Sequence, residues 1–249
     1  MAKKKERIDA LLVGRGLARS RAEAQALLIA GQVVVGGARV EKAGTRIQCD
    51  AAIRLTGVRG PFVSRGGVKL AAALDAFGID VTGRSAIDVG ASTGGFTDCL
   101  LSRGAHRVFC VDVGRGQLAE KLRADPRVVV RDRFNARKIV PEDLPFACDI
   151  AVVDVSFISL RLIIPPLAKC LPPAADVVAL VKPQFEVGRG KVGKGGIVRD
   201  PALRDEAVSA VEAMAREHRM TVCGKIASPI AGADGNIESL LFLTTPRNS

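Results

Sequence analysis

Apolar positions change their period about a quarter of the way along the chain. Near the start, Ile8, Leu11 and Leu12 fall at helical spacing, and Gly14 and Gly16 end that segment. Ser20-Arg21-Ala22-Glu23 reads as a capping box opening a second helix through Ala24, Leu27 and Leu28, closed at Ala30-Gly31. Short β-like pieces follow at Val33–Val35, Arg39–Val40 and Ile53–Leu55, the first two joined by a Gly36-Gly37 turn. Two helices and a small sheet predict a compact α+β module over residues 1–59. A glycine-rich connection ends at residues 60–63, and the pattern then becomes that of a larger unit over 64–249. Apolar strands are expected at Ala86–Val89, Arg107–Val111, Val128–Val130, Ile150–Val153, Val177–Val181, Thr221–Ile226 and Leu240–Thr244. Between them lie helical patterns near Leu70–Phe77, Gly95–Ser102, Gln117–Arg123, Ser159–Lys169 and Pro201–Glu217. Short apolar strands alternating with helices predict an α/β fold, a seven-stranded and mostly parallel sheet covered on both faces. Ligands of such sheets bind beyond the carboxyl ends of the strands.

Charge sharpens the division. Residues 1–60 carry 12 Lys/Arg against 5 Asp/Glu, a net of +7, whereas residues 61–249 carry 25 against 21, a net of +4. A basic head on a more balanced body predicts a polyanionic partner for the head. Arg15, Arg19 and Arg21 gather around the turn and the start of the second helix, where the helix N-terminus adds its own attraction for phosphate. The six cysteines are scattered, without a C-x-x-C pair, and read as reduced residues of a cytoplasmic protein. With only His106 and His218 beside them, no metal site is expected. The basic start, Met1-Ala2-Lys3-Lys4-Lys5, leads into an amphipathic pattern, and Asp149, Asp154, Arg161 and two proline pairs interrupt the richest apolar stretch. A signal peptide or a membrane span is therefore not expected.

The run Asp88-Val89-Gly90-Ala91-Ser92-Thr93-Gly94-Gly95-Phe96 leaves the first strand of the body and enters a helix. Gly90, Gly94 and Gly95 would admit a ligand close to the backbone, yet Ser92 stands where the dinucleotide fingerprint needs its second glycine. Asp112 ends the next strand, where a ribose diol is expected, and Asp132 follows the third strand within reach of an adenine amine. Asp88 beside the loop suits a ligand bearing an ammonium group better than one bearing phosphates. Together these residues favour S-adenosylmethionine over a nicotinamide dinucleotide.

Four charged residues stand where a buried sheet makes charge costly: Lys69 before the first body strand, Asp154 after the fourth, Lys182 after the fifth and Glu238 before the last. Each taken singly also reads as a solvated charge at a strand end. As a set, in this order and context, they resemble the Lys-Asp-Lys-Glu tetrad of RNA ribose 2′-O-methyltransferases with a Rossmann-like fold. That resemblance implies a lysine base, here Lys182, taking a proton from a ribose hydroxyl, with Lys69 nearby and the two acids orienting the ammonium groups.

The segments Arg7-Ile8-Asp9-Ala10-Leu11-Leu12, Arg19-Ser20-Arg21-Ala22-Glu23-Ala24 and Gly31-Gln32-Val33-Val34-Val35-Gly36-Gly37 resemble the small RNA-binding domain shared with ribosomal protein S-four. End to end, that head, the junction Ser64-Arg65-Gly66-Gly67-Val68-Lys69-Leu70, the tetrad and Val181-Lys182-Pro183-Gln184-Phe185-Glu186-Val187-Gly188 resemble the TlyA family of haemolysin-A-like proteins. The resemblance implies 2′-O-methylation of cytidine in ribosomal RNA or ribosomal subunits, with no metal and no membrane partner. Under it Arg7, Arg15, Arg19 and Arg21 of the head, and Lys191 and Lys194 of the Gly188–Gly196 loop, are expected to meet RNA. The peptide Arg59-Gly60-Pro61-Phe62 is placed to couple the head to the cofactor site. Two rival readings stay open at this level: a non-catalytic RNA-binding assembly factor, and, disfavoured by the lack of a spanning segment, a membrane-active haemolysin.

Overall fold

A computed structural model describes residues 5–18, 20–55, 61–232 and 235–247, with the side chain of Arg189 excepted. In the head, β1 (Lys5–Arg7), α1 (Ile8–Gly14), α2 (Arg21–Ile29), β2 (Val33–Val35), β3 (Ala38–Arg39), β4 (Arg46–Gln48) and β5 (Ile53–Leu55) follow one another. Ile8, Leu12, Ala24, Leu28 and Val33 form its core, so the two amphipathic helices bury their apolar stripes against one short strand. Ser20 Oγ accepts from Glu23 N at 3.2 Å and satisfies one of the open donors at the start of α2. The antiparallel β1–β4 ladder, Lys5 facing Gln48 and Arg7 facing Arg46, carries charges on both strands and has no apolar alternation to announce it.

The body follows as α3 (Gly66–Phe77), β6 (Ser85–Val89), α4 (Gly95–Ser102), β7 (Arg107–Val111), α5 (Glu120–Arg123), β8 (Val128–Arg131), β9 (Ile150–Val153), α6 (Ile164–Ala168), β10 (Asp176–Val181), α7 (Pro183–Glu186), α8 (Pro201–Glu217), β11 (Thr221–Ala227) and β12 (Ser239–Thr244). Its seven strands lie in the order β11-β12-β10-β9-β6-β7-β8. All pairings from β10 through β8 are parallel, while β12 runs antiparallel to both of its neighbours. The expected α/β sheet is therefore present. Alternate residues serve opposite cores: Ile87 and Val89 pack with α6 and α8, whereas Ala86 packs with α3 and α4. Strand order reverses between β6 and β9, which opens a crevice at their carboxyl ends.

Two expected helices are shorter than their apolar pattern. The Ser159–Lys169 segment divides into a 3-10 turn at Leu160–Leu162 and the brief α6, because Pro165 and Pro166 supply no N–H to a continuous helix. The segment from Gln117 becomes helical only at Glu120. Among the described residues no helix is long and apolar enough to cross a membrane.

Candidate active site

The crevice draws its functional side chains from four elements. β9 ends at Val153, so Asp154 is the first residue beyond the sheet, and β10 ends at Val181, which does the same for Lys182. β12 runs the other way, and its first residue, Ser239, faces Val181 in register. Glu238 therefore leaves the sheet at the same edge as Lys182. Lys69 arrives from the first turn of α3.

The four form two ion pairs. Lys69 Nζ lies 2.5 Å from Glu238 Oε2, with side chains 10% and 3% exposed. Lys182 Nζ lies 2.6 Å from Asp154 Oδ1, with side chains 13% and 22% exposed. The second pair is in contact without hydrogen-bond alignment, since Asp154 Oδ1 has no hydrogen-bond donor. The aligned hydrogen bond of Lys182 goes instead to Ser156 Oγ, at 2.9 Å. Ser156 is a site residue that sequence reasoning missed; a lone hydroxyl in a loop has no periodic signal.

A cavity of about 150 Å³ unites Lys69, Asp154, Ser156 and Lys182 with Gly90, Ser92, Thr93, Gly95 and Phe96 of the glycine loop. Ile29 and Glu41 of the head close part of the same wall. Arg65 spans the two parts, its guanidinium 3.4 Å from Glu41 Oε1 and donating to Ala231 O at 2.9 Å. A larger cleft of about 660 Å³ opens between α2 and the Gly116–Lys121 segment, and it also reaches Thr93. Residues 57–60 of the connecting peptide lie outside the described residues. Where the chain resumes, Val63 N donates to Asp98 Oδ2 in the first turn of α4 at 2.7 Å, and Lys121 Nζ reaches the same carboxylate at 3.0 Å.

The glycines do more for packing than the sequence suggests. Gly90 has φ +88°, and a Cβ there would strike the carbonyl of Asp154, so only glycine lets β6 and β9 end side by side. A Cβ on Gly94 would strike Leu122 and Leu118, and one on Gly95 would strike Ser64 Oγ. The space beside Gly94 is thus filled by protein rather than kept for a ligand.

Asp88, Asp112 and Asp132 stand behind the cavity lining. Asp88 is wholly buried, with Oδ2 accepting from Thr97 Oγ1 at 2.6 Å and Oδ1 without a donor. Burial pushes its carboxyl up to about 7, against the opposing Thr97 hydrogen bond, and the nearby Asp154 and Asp112 charges add to the rise. Asp112 accepts from Ser92 N at 2.8 Å and from Gly114 N at 2.7 Å, which fixes the loop's curvature. Asp132 accepts from Gly116 N at 2.9 Å and pairs with Arg123 at 3.3 Å. Carboxylates therefore ring the loop, and one buried oxygen is uncompensated. This field suits a cationic nucleoside and opposes a pyrophosphate.

The expected RNA-facing residues divide. Arg7 is bidentate to Asp9, at 3.0 and 2.9 Å, and Arg15 donates to the carbonyls of Ala51 and Cys49, so both guanidinium groups hold the head's own fold. Arg21 is exposed at the start of α2, and Lys194 is exposed in its loop. Lys191 pairs with Glu206 at 2.5 Å. Arg19 lies outside the described residues. Asn236 is 1% exposed and fastens the basic loop to the approach to Glu238, donating to Gly196 O and accepting from Val198 N, each at 2.9 Å.

A seven-stranded sheet with one reversed strand, a glycine loop at its switch point and two lysine–carboxylate pairs at the same edge define a Rossmann-like methyltransferase. Comparison with known proteins agrees: residues 62–245 match the FtsJ-like methyltransferase family, and residues 6–50 match the S4 domain. The chain is 50% identical to the 16S/23S rRNA (cytidine-2′-O)-methyltransferase TlyA of Mycobacterium tuberculosis, over 97% of this chain and 91% of that one. It is 42% identical to Hemolysin A of Brachyspira hyodysenteriae, over 94% and 98% of the respective chains. A solved structure from Streptococcus thermophilus superposes with a TM-score of 0.75 at 44% identity, covering all of this chain and 92% of that one. The chain belongs to the TlyA family, FtsJ-like methyltransferases that carry an S4 domain.

Proposed function

We propose that this protein transfers a methyl group from S-adenosylmethionine to a ribose 2′-hydroxyl of ribosomal RNA. Cytidine is the acceptor nucleoside named for the Mycobacterium tuberculosis relative, and we carry it over to this chain. The observation behind the reading is that Lys69, paired with Glu238, shares one cavity with Lys182, Asp154 and the glycine loop. The working division is a binding head over residues 1–59, a connection at 60–63 and a catalytic body over 64–249. The hydrogen bond from Val63 to Asp98 fastens that connection to the helix that follows the cofactor loop. Ribosomal RNA as substrate assigns the protein to the cytoplasm.

The residues fit a cationic cofactor. Gly90, Ser92, Thr93, Gly95 and Phe96 supply the wall beside it, with Gly94 packing the loop from behind. Asp112 and Asp132 supply the negative field, Asp88 adds its charge only above about pH 7, and Asp112 also fixes the loop's curvature. S-adenosylmethionine brings a methyl group already activated on sulfonium, so positioning and proton removal are the tasks left to the protein. Lys182, beside Ser156 and the glycine loop, accepts the proton of the 2′-hydroxyl at Nζ when that nitrogen is the neutral amine. Asp154 and Ser156 fix the direction of that nitrogen. Lys69, paired with Glu238, stabilises the oxyanion forming on the ribose. Arg19 and Arg21 of the head, with Lys194 and Lys191 of the loop, hold phosphates, and Arg7 and Arg15 assist chiefly by shaping the head.

Labelled S-adenosylmethionine and isolated ribosomal subunits test the reading. Label enters ribosomal RNA with the wild-type protein and not with Lys182→Ala. Equal incorporation by the two would overturn the assignment of the base.

A further inference from the structure

Lys182 can take a proton only if its nitrogen points at the acceptor hydroxyl, and the structure shows what sets that direction. Its single aligned hydrogen bond goes to Ser156 Oγ. Ser156 stands in the loop between β9 and the Leu160–Leu162 turn, where Phe157 is 92% exposed and has φ +65°. Such a backbone conformation is unfavourable for a bulky residue and persists only when the surrounding structure enforces it. Two tethers do so. At one end Asp154 N donates to Val89 O at 2.9 Å, which joins the loop to the sheet. At the other end both oxygens of Glu186 are engaged: Oε2 accepts from Ser159 Oγ at 2.6 Å, and Oε1 accepts from Leu160 N at 2.7 Å.

Glu186 is 5% exposed, and burial raises its carboxyl above the ordinary range. Arg161 offsets part of that penalty, with Nε at 3.5 Å from Oε2 and Nη2 donating to the Glu186 carbonyl at 3.2 Å. A buried carboxylate with both oxygens satisfied is costly to assemble and specific once formed. Its location gives the cost a use. Glu186 closes the one-turn helix α7, which begins immediately after Lys182, and Phe185 beside it packs on Phe157 with ring centroids 5.3 Å apart. The lysine and the loop that aims it are thus referred to the same turn of chain.

We infer that Glu186 is a positioning residue for methyl transfer: by clamping Ser159 and Leu160 it holds Ser156 against Lys182. The inference rests on the proposed methyltransferase reading and adds a residue that does not touch substrate or cofactor. A purely structural role would lower the melting temperature and affect every kinetic parameter; a positioning role acts on the chemical step through Ser156.

The test is a double-mutant cycle on the full chain, read as single-turnover transfer to ribosomal RNA, with cofactor Kd and Tm measured alongside. Ser156→Ala is expected to slow transfer about tenfold, the order expected for losing one hydrogen bond to a charged group. Glu186→Gln is expected to slow it about fivefold with cofactor Kd unchanged, and the double variant to be no slower than Ser156→Ala within about twofold. Should Glu186→Gln fold poorly, Ser159→Ala removes one tether and takes its place in the cycle, with a loss of about threefold. Losses that multiply in the double variant, singles that match the wild type, or an effect confined to cofactor Kd would each overturn the inference. Failure of the wild-type protein itself to methylate ribosomal RNA would instead remove the functional reading, and this inference with it.

Discussion

Two lysine–carboxylate pairs stand at the same edge of the sheet in different settings. On the α3–β12 wall, Lys69 and Glu238 are buried and close at 2.5 Å. On the β9–β10 wall, Lys182 and Asp154 are in contact at 2.6 Å, the lysine about as buried as Lys69 but the carboxylate side chain more exposed than Glu238, and the ammonium directs its aligned hydrogen bond to Ser156. A deeply buried pair resists losing its charge because either partner alone would stand uncompensated. A lysine–carboxylate pair thus recurs in two settings, and the exposure of the carboxylate and the alignment of the contact make the difference.

The largest expected effect falls on the open wall. Lys182→Ala lowers single-turnover methyl transfer by about a thousandfold, the middle of the range for a positioned general base, and leaves Tm within a degree or two. A comparable loss accompanied by collapse of Tm would erase the distinction between the walls. On the closed wall the order inverts. Glu238→Ala strands the Lys69 ammonium and costs about 3–5 kcal/mol of stability, visible as a lower denaturant midpoint. Pairing Glu238→Gln with Lys69→Met restores most of that stability while transfer stays lost, a combination no purely structural pair would give.

Asp88 sharpens the comparison through pH. Its carboxyl is raised by burial to about 7, so the folded protein favours the neutral acid. Its contribution to stability is fully present below the unfolded pKa near 4 and is lost as pH rises through about 7. The span from 3.8 to about 7 corresponds to at most ~4 kcal/mol. Chemical denaturation between pH 4 and 8 should show this fall in the free wild-type protein and a flatter profile in Asp88→Asn. The smallest effect belongs to the head. Arg21→Ala weakens RNA binding several-fold and reduces the salt slope of log affinity by about one, with cofactor affinity unchanged.

How much of this was legible in the sequence follows from what each element depends on. The seven body strands announce themselves because burial on both faces demands continuous apolar runs, and all seven observed strands lie within a residue of expectation. The tetrad was legible for the converse reason: charge at the end of a buried strand is costly and stands out. β1 and β4 were missed because Lys5-Glu6-Arg7 and Arg46-Ile47-Gln48 offer one apolar residue, Ile47, from which no alternation can be read. Ser156 and Glu186 were missed as site residues for another reason. Their roles arise from a loop folding back on α7, and no local spacing encodes that contact. Glu186 did lie in plain view, four residues after Lys182 in an apolar segment, and a carboxylate there asks for a buried partner. The head's arginines taught the opposite lesson, since net charge counted Arg7 and Arg15 as free when Asp9 and two carbonyls already engage them.

One measurement bears most directly on the use of Lys182 as base toward a ribose hydroxyl. Ribosomal RNA labelled from S-adenosylmethionine is hydrolysed in alkali, which cleaves every linkage except one blocked by 2′-O-methylation, and the label is located among the products. The wild-type protein should leave it in an alkali-resistant dinucleotide, and Lys182→Arg, which keeps the charge but cannot give up its proton near neutral pH, should leave none. Label recovered in mononucleotides, or a dinucleotide of equal yield from Lys182→Arg, would contradict the assignment.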